Sequence, residues 1–350
     1  MRAAWRNVPV VLVPAAGVLS ERGEVEGASA ATGILWSGGR TTPLVVPEVA
    51  PASALAEALG AAASDRATTA LLFPRADLAP DALEGLSSLS RDGSRGLCVF
   101  GAGTVGGSAV ALDAAGRTLR GRVVGLALHG VQAPLVEFTP ACRLLTPFTR
   151  VVETSSGMVL TLGDDSGAAD VAVDDIPALD LLSTCMPELR GAAAGAAGQP
   201  QPVVFVALAD PDPAPIPGAA SPERYVVRPV RGIDPARRGV MVGPEVKPGM
   251  RLAFAVRDAA AARSGLESTA RSVSQQAMGA APRFALYLSC AGRGQGLYGS
   301  PDVESRMLRQ RFGDLPIAGM HGAFELVPWA PGETRLALYT GVLALFRSPS

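Results

Sequence analysis

The chain has 350 residues, a length that suits two domains of ordinary size better than one small core. Hydrophobic residues make up 48% and charged residues 18%, which excludes a disordered chain, and the 40 glycines and 29 prolines follow no G-X-Y period, which excludes collagen. The formal net charge of −1 creates no field that attracts a polyanion, so we expect no nucleic acid partner.

The first half of the chain alternates patterns that are typical of strands and helices. Short apolar runs at 69–73 and 97–100 predict buried strands, and the leucines of 81–89 recur on one side of a predicted helix. The sequence DAAGR around 115–116 predicts a hairpin turn, and 157–162 continues the β character. The motif GAGTVG resembles a dinucleotide fingerprint, but no helix pattern follows it, so we interpret it as a turn between strands.

The clearest break in composition lies at 190–202, where small uncharged residues end in Gln and Pro. A second loose stretch with four prolines follows at 210–220. We therefore predict an N-terminal domain over 1–189, a linker over 190–220 and a C-terminal domain over 221–350.

The second half predicts further strands and two helices. Asp258 can cap a long helix, because a carboxylate accepts hydrogen bonds from the first free N–H groups. Ser300 and Pro301 favour a second helix that ends at Phe312, with Ser300 as its N-cap. The predicted strands of this half are 203–208, 225–227, 240–242, 251–256, 284–289 and 315–318.

An internal repeat is visible in the order of these elements. The first half has the order strand, helix, strand and Gly101, and the second half repeats this order and ends it at Gly319. We therefore predict an α/β fold with two related mixed β-sheet domains and flanking helices, packed as a layered α/β/β/α sandwich.

The stretch SCAGRGQGLYG at 289–299 has the composition of a binding turn. Its glycines let the backbone approach a ligand closely and present N–H donors, and Arg293 adds a fork that pairs with carboxylate or phosphate. The turn lacks the G-K-[ST] ending of a P-loop, so no nucleoside triphosphate is implied. The structural alternative is a tight strand-to-helix turn with a solvated arginine.

Cysteine and histidine usage leaves one enzymatic alternative open. Cys290 ends a predicted strand and His321 follows the next one, so adjacent strands could place a histidine beside a thiol nucleophile. The alternative is an inert buried thiol with an incidental histidine. The cysteines form no C-x-x-C pair, and the two histidines, His129 and His321, have no zinc-site spacing, so we expect no metal.

Three segments of the second half resemble the C-terminal half of the FIST family of sensory domains. They are LYLSCAGRGQGLYGSPDV, RFGDLPIAGMHGAFELVP and LALYTGVLALF. Two segments upstream of them are also similar to this family, RYVVRPVRGIDP and VKPGMRLAFAVRDAAAA. Four segments of the first half resemble, more loosely, the family's N-terminal half: EVEGASAATGILW, DLAPDALEGL, LCVFGAGTVGG and GMVLTLGDDSGAAD. The segment GMHGAFEL departs from the family pattern G-F-x-G-x-G-E, and the first residues align with the family's first internal strand, so we expect an opening strand–helix unit to be missing or divergent.

The resemblance implies a small-ligand-binding sensory module of the bacterial kind, for which amino acids are proposed ligands. In this interpretation Arg293 and the N–H groups of the turn bind the ligand's carboxylate, and Glu325 binds its ammonium group. Tyr298 and Thr340 contribute walls and hydroxyls. The predicted ligand-binding residues are Cys290, Gly292, Arg293, Gly294, Tyr298, Glu325 and Thr340.

The expected function is therefore a cytoplasmic, non-enzymatic ligand sensor that signals through an output protein in trans, without a cofactor. The alternatives are a cysteine-dependent enzyme centred on Cys290 and an interaction scaffold that binds no ligand. The sparse, unpaired cysteines favour a reducing compartment, and the chain has no run of 18 apolar residues, so we expect no membrane partner.

Overall fold

The computed structural model describes residues 8–51, 53–77, 96–164, 175–194, 203–211, 224–330 and 332–348. The chain forms two compact units. Unit 1 combines Met1–Thr139 with Arg263–Ser350, and unit 2 is the intervening Pro140–Ala262. Unit 2 is therefore an insertion in the sequence of unit 1.

The first segment of unit 1 is mostly β-structure. Its described elements are β1 (Val10–Leu12), β2 (Gly17–Ser20), β3 (Gly23–Glu26), β4 (Arg40–Val46), α1 (Ala54–Ser64), β5 (Ala67–Pro74), β6 (Cys98–Ala102), β7 (Val110–Leu112), β8 (Thr118–Arg120), β9 (Val123–His129) and β10 (Leu135–Pro140). The strands predicted at 69–73 and 97–100 are confirmed by β5 and β6. The predicted hairpin is confirmed by β7 and β8, whose turn is closed by N–H groups of Ala115 and Arg117 that donate to Asp113 at 3.0 and 2.8 Å. The predicted helix over 81–89 lies outside the described residues.

Unit 2 is built on a sheet whose described pairings are antiparallel. Its described elements are β11 (Cys142–Leu144), β12 (Thr149–Ser155), β13 (Met158–Gly163), β14 (Ile176–Pro177), α2 (Ala178–Ala194), β15 (Val204–Ala209), β16 (Val226–Pro229), β17 (Gly232–Asp234), β18 (Gly239–Met241) and β19 (Arg251–Arg257). The strand order is β16-β15-β19-β12-β13-β18-β17, with β11 also paired to β19 and β14 to β13. The predicted strands of this region are confirmed by β13, β15, β16, β18 and β19.

The second segment of unit 1 contains most of the predicted site. Its described elements are α3 (Ala259–Gln276), whose first four residues belong to unit 2, β20 (Pro282–Cys290), α4 (Gly294–Tyr298), α5 (Val303–Phe312), β21 (Ile317–Gly322), β22 (Glu325–Ala330), β23 (Glu333–Ala337) and β24 (Thr340–Arg347). The predicted cap of α3 is confirmed, because the N–H of Ala261 donates to Asp258 Oδ1 at 2.7 Å. The predicted N-cap of α5 is wrong: Asp302, not Ser300, precedes its first residue. The N–H of Ser305 instead donates a hydrogen bond to Glu24 Oε1 of β3 at 2.8 Å, so a strand distant in the sequence supplies the cap.

Two six-stranded sheets form unit 1, and each is centred on a parallel pair. The β5/β6 sheet has the order β23-β22-β6-β5-β9-β4, and the β20/β21 sheet has the order β10-β24-β20-β21-β2-β3. β5 runs parallel to β6 and β20 parallel to β21, and antiparallel strands flank both pairs. A smaller antiparallel sheet consists of β1, β7 and β8.

Helices cover the outer faces of the two large sheets. α1 packs through buried Leu55 on the β5/β6 sheet, and α3 and α5 pack through Leu266 and Leu308 on the β20/β21 sheet. Between the sheets, Phe138 of β10 stacks on Trp329 of β22 with ring centroids 6.0 Å apart. Unit 1 therefore has α/β/β/α layers, which confirms the predicted fold class.

The boundaries of the compact units differ from the boundaries predicted from composition. The predicted linker over 190–220 includes the end of α2 and the strand β15, whose residues are almost all buried. Val204–Ala209 is apolar and pairs with strands on both sides, so it belongs to a core although its flanks are rich in Ala, Gly and Pro. The division into a FIST N-like domain over 1–189 and a FIST C-like domain over 221–350 stays a prediction.

Candidate functional site

The glycine turn after β20 is folded tightly against the protein itself. The N–H of Arg293 donates to the carbonyl of Cys290 at 2.8 Å, and α4 begins one residue later. A Cβ atom at Gly294 would collide with the carboxylate of Glu26, which accepts the N–H of Gln295 at 2.8 Å. The group that approaches Gly294 is therefore a side chain of β3 and not the predicted ligand.

Arg293 is completely buried and paired with an acid of the protein. Its Nε donates to Glu304 Oε1 at 2.7 Å, while its two terminal nitrogens donate to the carbonyl of Thr139 at 3.1 Å and to the hydroxyl of Tyr298 at 3.2 Å. A charge can be buried only when it is paired and hydrogen-bonded, and Glu304 provides that pairing. The expectation that Arg293 faces a cavity and binds a ligand's carboxylate is therefore wrong for this conformation.

Glu304 of α5 is the centre of a buried network that sequence reasoning missed. Its Oε1 accepts the hydroxyls of Tyr287 and Tyr298, each at 2.9 Å, and its Oε2 accepts Ser289 at 2.7 Å. Burial opposes ionisation, but the charge of Arg293 and the hydrogen bonds from Ser289 and Arg293 outweigh it, so the pKa of Glu304 is lowered. The alternation along β20, which places Tyr287 and Ser289 on one face, is the signal that could have revealed this network.

A second buried cluster contains Cys290, Glu325 and Thr340. The N–H of Thr340 donates to Glu325 Oε2 at 3.4 Å, whereas Glu325 Oε1 has no hydrogen-bond partner among the residues that the structure describes. Burial raises the pKa of Glu325 well above its ordinary value of 4.5, despite the opposing charge of Arg293. Glu325 is therefore an acid whose ionisation is disfavoured by burial, beside a thiol.

The environment of Cys290 suppresses rather than promotes reactivity. Burial raises the pKa of the thiol to about 11, and hydrogen bonds from the backbone N–H groups of Gly292 and Tyr339 do not reverse this. The N–H of Gly292, expected to meet a ligand, is thus directed at the sulfur of Cys290. A nucleophilic cysteine needs a lowered pKa, so these surroundings disfavour a cysteine-dependent enzyme.

Cys290 and His321 do not form the predicted pair. Their strands are adjacent and parallel, but the register places Cys290 beside Gly322 and His321 beside Ser289. Neighbouring residues of a strand point to opposite faces, so the thiol and the imidazole lie on different sides of the β20/β21 sheet.

The seven predicted site residues therefore separate into two groups. Arg293 and Tyr298 belong to the Glu304 network on the helix-covered face, together with the turn that contains Gly294. Cys290, Gly292, Glu325 and Thr340 belong to the cluster on the other face. A groove of about 500 Å³ lies at the opposite end of β20, at Pro282, and its lining contains none of the seven.

Curated mycobacterial proteins are similar to part of the chain. Uncharacterized protein Mb0898c of Mycobacterium bovis is 33% identical over 122 residues, which is 35% of this chain and 31% of that relative. Uncharacterized protein Rv0628c of Mycobacterium tuberculosis is 32% identical over a stretch with the same shares. The match thus spans about a third of the length of these curated relatives.

Within the described ranges, no helix combines the length and the apolar character needed to cross a membrane. Residues 178–328 match the FIST C domain, a family associated with sensory signal transduction, while the likeness of the first half to a FIST N domain stays a prediction.

Proposed function

We propose that the protein is a small-ligand-binding sensory protein whose ligand is anchored at Glu325. The observation that carries this proposal is the carboxyl group of Glu325, which is 0% exposed and whose Oε1 finds no partner in the described part of the chain. A buried polar atom without a hydrogen bond is destabilising, and a ligand that donates one would relieve that penalty. The FIST C match of residues 178–328 supports a sensory role for such binding.

The chemistry of Glu325 favours a ligand with an amine. An ammonium group beside the carboxyl would stabilise its ionised form and form a charge-assisted hydrogen bond. Arg293 is engaged by Glu304, so the ligand's anchor in this proposal is its amine end, and amino acids remain the first compounds to screen. The cluster is buried, so entry requires a local opening, which we expect at the turn between β23 and β24, where Tyr339 has a φ of 54°.

A thermal-shift screen of the full chain against amino acids, simple amines and keto acids tests the proposal. A ligand present at a hundred times its Kd stabilises the folded state by about 2.7 kcal/mol, so binding raises the melting temperature measurably. We expect an amine-bearing compound to do this for the wild type and for Glu267→Gln, a control on the exposed surface of α3, but not for Glu325→Gln. An equal shift in Glu325→Gln would overturn the assignment of the site.

The proposal also includes the compartment and the signalling partner of the protein. We place it in the cytoplasm, since its four cysteines, Cys98, Cys142, Cys185 and Cys290, are all free thiols. We further propose that the signal passes to an output protein in trans. If no compound raised the melting temperature while a partner co-purified, the interaction scaffold would be favoured instead.

A further inference from the structure

A second cluster of potential ligand groups lies on the helix-covered face of the β20/β21 sheet. Gly17 of β2 is directly opposite His321 of β21 on one side and directly opposite Glu26 of β3 on the other. Directly opposed residues point to the same face of a sheet, and Glu24 lies two residues before Glu26 on that face. Three strands therefore bring two carboxylates and an imidazole together, although the sequence separates them by nearly 300 residues.

His321 is a buried side chain whose ring nitrogens lack the hydrogen bonds that buried polar groups ordinarily make. The residue is 1% exposed, and across the described ranges neither Nδ1 nor Nε2 makes a hydrogen bond. A neutral imidazole has one donor and one acceptor nitrogen, and a buried polar group ordinarily satisfies both. Its Nε2 lies 3.9 Å from Glu24 Oε2, which is too long for a hydrogen bond but leaves space for an ion between the two atoms.

The two carboxylates are fixed by helix termini and keep oxygen atoms for a further partner. Glu24 has a side chain that is 2% exposed, and its Oε1 accepts the N–H of Ser305, which leaves Oε2 towards His321. Glu26 accepts the N–H of Gln295 through Oε1 and is exposed to solvent. The cluster is therefore rigid on its buried side and accessible from the side of Glu26.

Gly17 keeps the space between these groups open. A Cβ atom at this position would lie 3.0 Å from the imidazole Cδ2 of His321 and 3.1 Å from Cγ of Glu26. Both contacts are tighter than most real contacts of a Cβ atom, so a larger residue would require the two ligand side chains to shift by a few tenths of an ångström.

We propose that Glu24, Glu26 and His321 bind one divalent first-row transition metal ion. One nitrogen or oxygen atom from each residue lies within 4.8 Å of the others. Ligands of one zinc ion, each about 2.1 Å from the metal, are about 3.4 Å apart at the tetrahedral angle, so side-chain movements of about an ångström close the site. Imidazole with carboxylates suits zinc, iron or manganese better than calcium or magnesium.

An ion at this site would resolve the unfavourable electrostatics of the cluster. It would supply the missing partner of His321 and neutralise two neighbouring acids, one of which is buried. The site lies on the opposite face of the sheet from Cys290 and does not depend on the ligand proposed at Glu325.

Isothermal titration of the chelator-treated full chain with ZnCl₂ tests this proposal. We expect one equivalent to bind to the wild type and to Glu267→Gln, the matched control on an exposed helix. Glu26→Gln and His321→Phe each remove a ligand, so their affinity should fall by more than about tenfold, the lower limit known for losing even an outer-shell partner. The proposal is overturned if the wild type binds no zinc, or if both variants bind it as tightly as the wild type.

Two further readouts separate metal binding from a structural effect. Because His321 makes no hydrogen bond to any described residue, metal-free His321→Phe should melt at or near the wild-type temperature, and added zinc should raise only the wild-type temperature. Should His321→Phe fail to fold, the exposed Glu26→Gln decides the question. X-ray absorption of the zinc-loaded wild type should show nitrogen and oxygen ligands, whereas sulfur scattering would place the ion on a cysteine and contradict the proposal.

Discussion

At the scale of single residues, Glu304 and Glu325 are two buried carboxyl groups whose pKa values move in opposite directions. Glu304 is ionised because Arg293 and three hydroxyl groups compensate its burial. The pKa of Glu325 is raised because burial dominates its surroundings. Two carboxyl groups whose pKa values are shifted in opposite directions by their surroundings can have different roles. Here Glu304 forms a structural ion pair, and Glu325 is the candidate ligand anchor.

The ion pair predicts a large loss of stability in Glu304→Gln. The variant leaves the guanidinium of Arg293 buried without a counter-charge, which typically costs about 3–5 kcal/mol. Urea unfolding at pH 7 measures this loss. Glu267→Gln, which removes an exposed i,i+4 pair with Arg271, should cost less than about 0.5 kcal/mol, and a loss for Glu304→Gln as small as that would show that Arg293 is not held by the pair.

The raised pKa of Glu325 predicts a stabilising substitution. Because the pKa is raised in the folded chain, the unfolded chain releases this proton at lower pH, so the wild type loses stability as the pH rises above 4.5. Glu325→Gln cannot ionise, so we expect it to be more stable than the wild type at pH 7, on the order of 1 kcal/mol or more, with the gain shrinking below pH 4.5. Unfolding curves at pH 7 and pH 4 measure the difference, and a destabilised variant at pH 7 would contradict a raised pKa of Glu325.

The thiol of Cys290 should be unreactive in the folded protein. With a pKa of about 11, only about 0.1% of the thiol is ionised at pH 8, against roughly a quarter of a free cysteine. Alkylation by iodoacetamide, followed by peptide mass spectrometry, should therefore be at least about a hundredfold slower in the folded chain than in urea. Equal rates in the two conditions would restore the cysteine-dependent enzyme as a candidate.

At the scale of elements, the two parallel strand pairs repeat one packing detail. In each pair the second strand carries a glycine that faces the first strand, Gly101 opposite Leu72 and Gly319 opposite Tyr287. A Cβ atom at either glycine would overlap the backbone carbonyl of its neighbour, which cannot move aside. The sequence echo that ends in Gly101 and Gly319 therefore reflects a shared steric requirement.

Alanine at these glycines should destabilise both sheets. Gly101→Ala and Gly319→Ala force two paired strands apart, and overpacking of this kind costs about 1–3 kcal/mol. Gly296→Ala is the matched control, because a Cβ there meets no atom within 4 Å and lies in a helix that alanine favours. Thermal unfolding of the three variants measures the effect, and a Gly101→Ala or Gly319→Ala variant as stable as Gly296→Ala would show that the strands can separate without cost.

At the scale of the whole molecule, local patterns predicted most strands but not the division into units. Apolar runs such as 69–73 and 284–289 identify strands because burial and alternation act over a few residues. The division depends on contacts between Met1–Thr139 and Arg263–Ser350, which local composition does not report. Composition instead favoured a boundary near residue 200, inside unit 2.

The candidate site was also predictable only in part, because residues distant in the sequence complete it. The glycine-rich turn and Glu325 stood out, since a carboxyl group in an apolar strand and clustered glycines are unusual locally. The partners that decide their chemistry come from elsewhere: Glu304 from a helix that follows, and Glu26 from a strand more than 260 residues earlier. Sequence reasoning therefore located the turn correctly but assigned Arg293 to a ligand rather than to the protein's own acid.

A crystal structure of the full chain grown with a mixture of the twenty standard amino acids tests ligand anchoring at Glu325 most directly. We predict an amine nitrogen within hydrogen-bond distance of Glu325 Oε1, with the Arg293–Glu304 pair intact. An amino acid bound instead in the groove at Pro282, or a carboxyl of Glu325 that no ligand contacts, would contradict the proposed sensor.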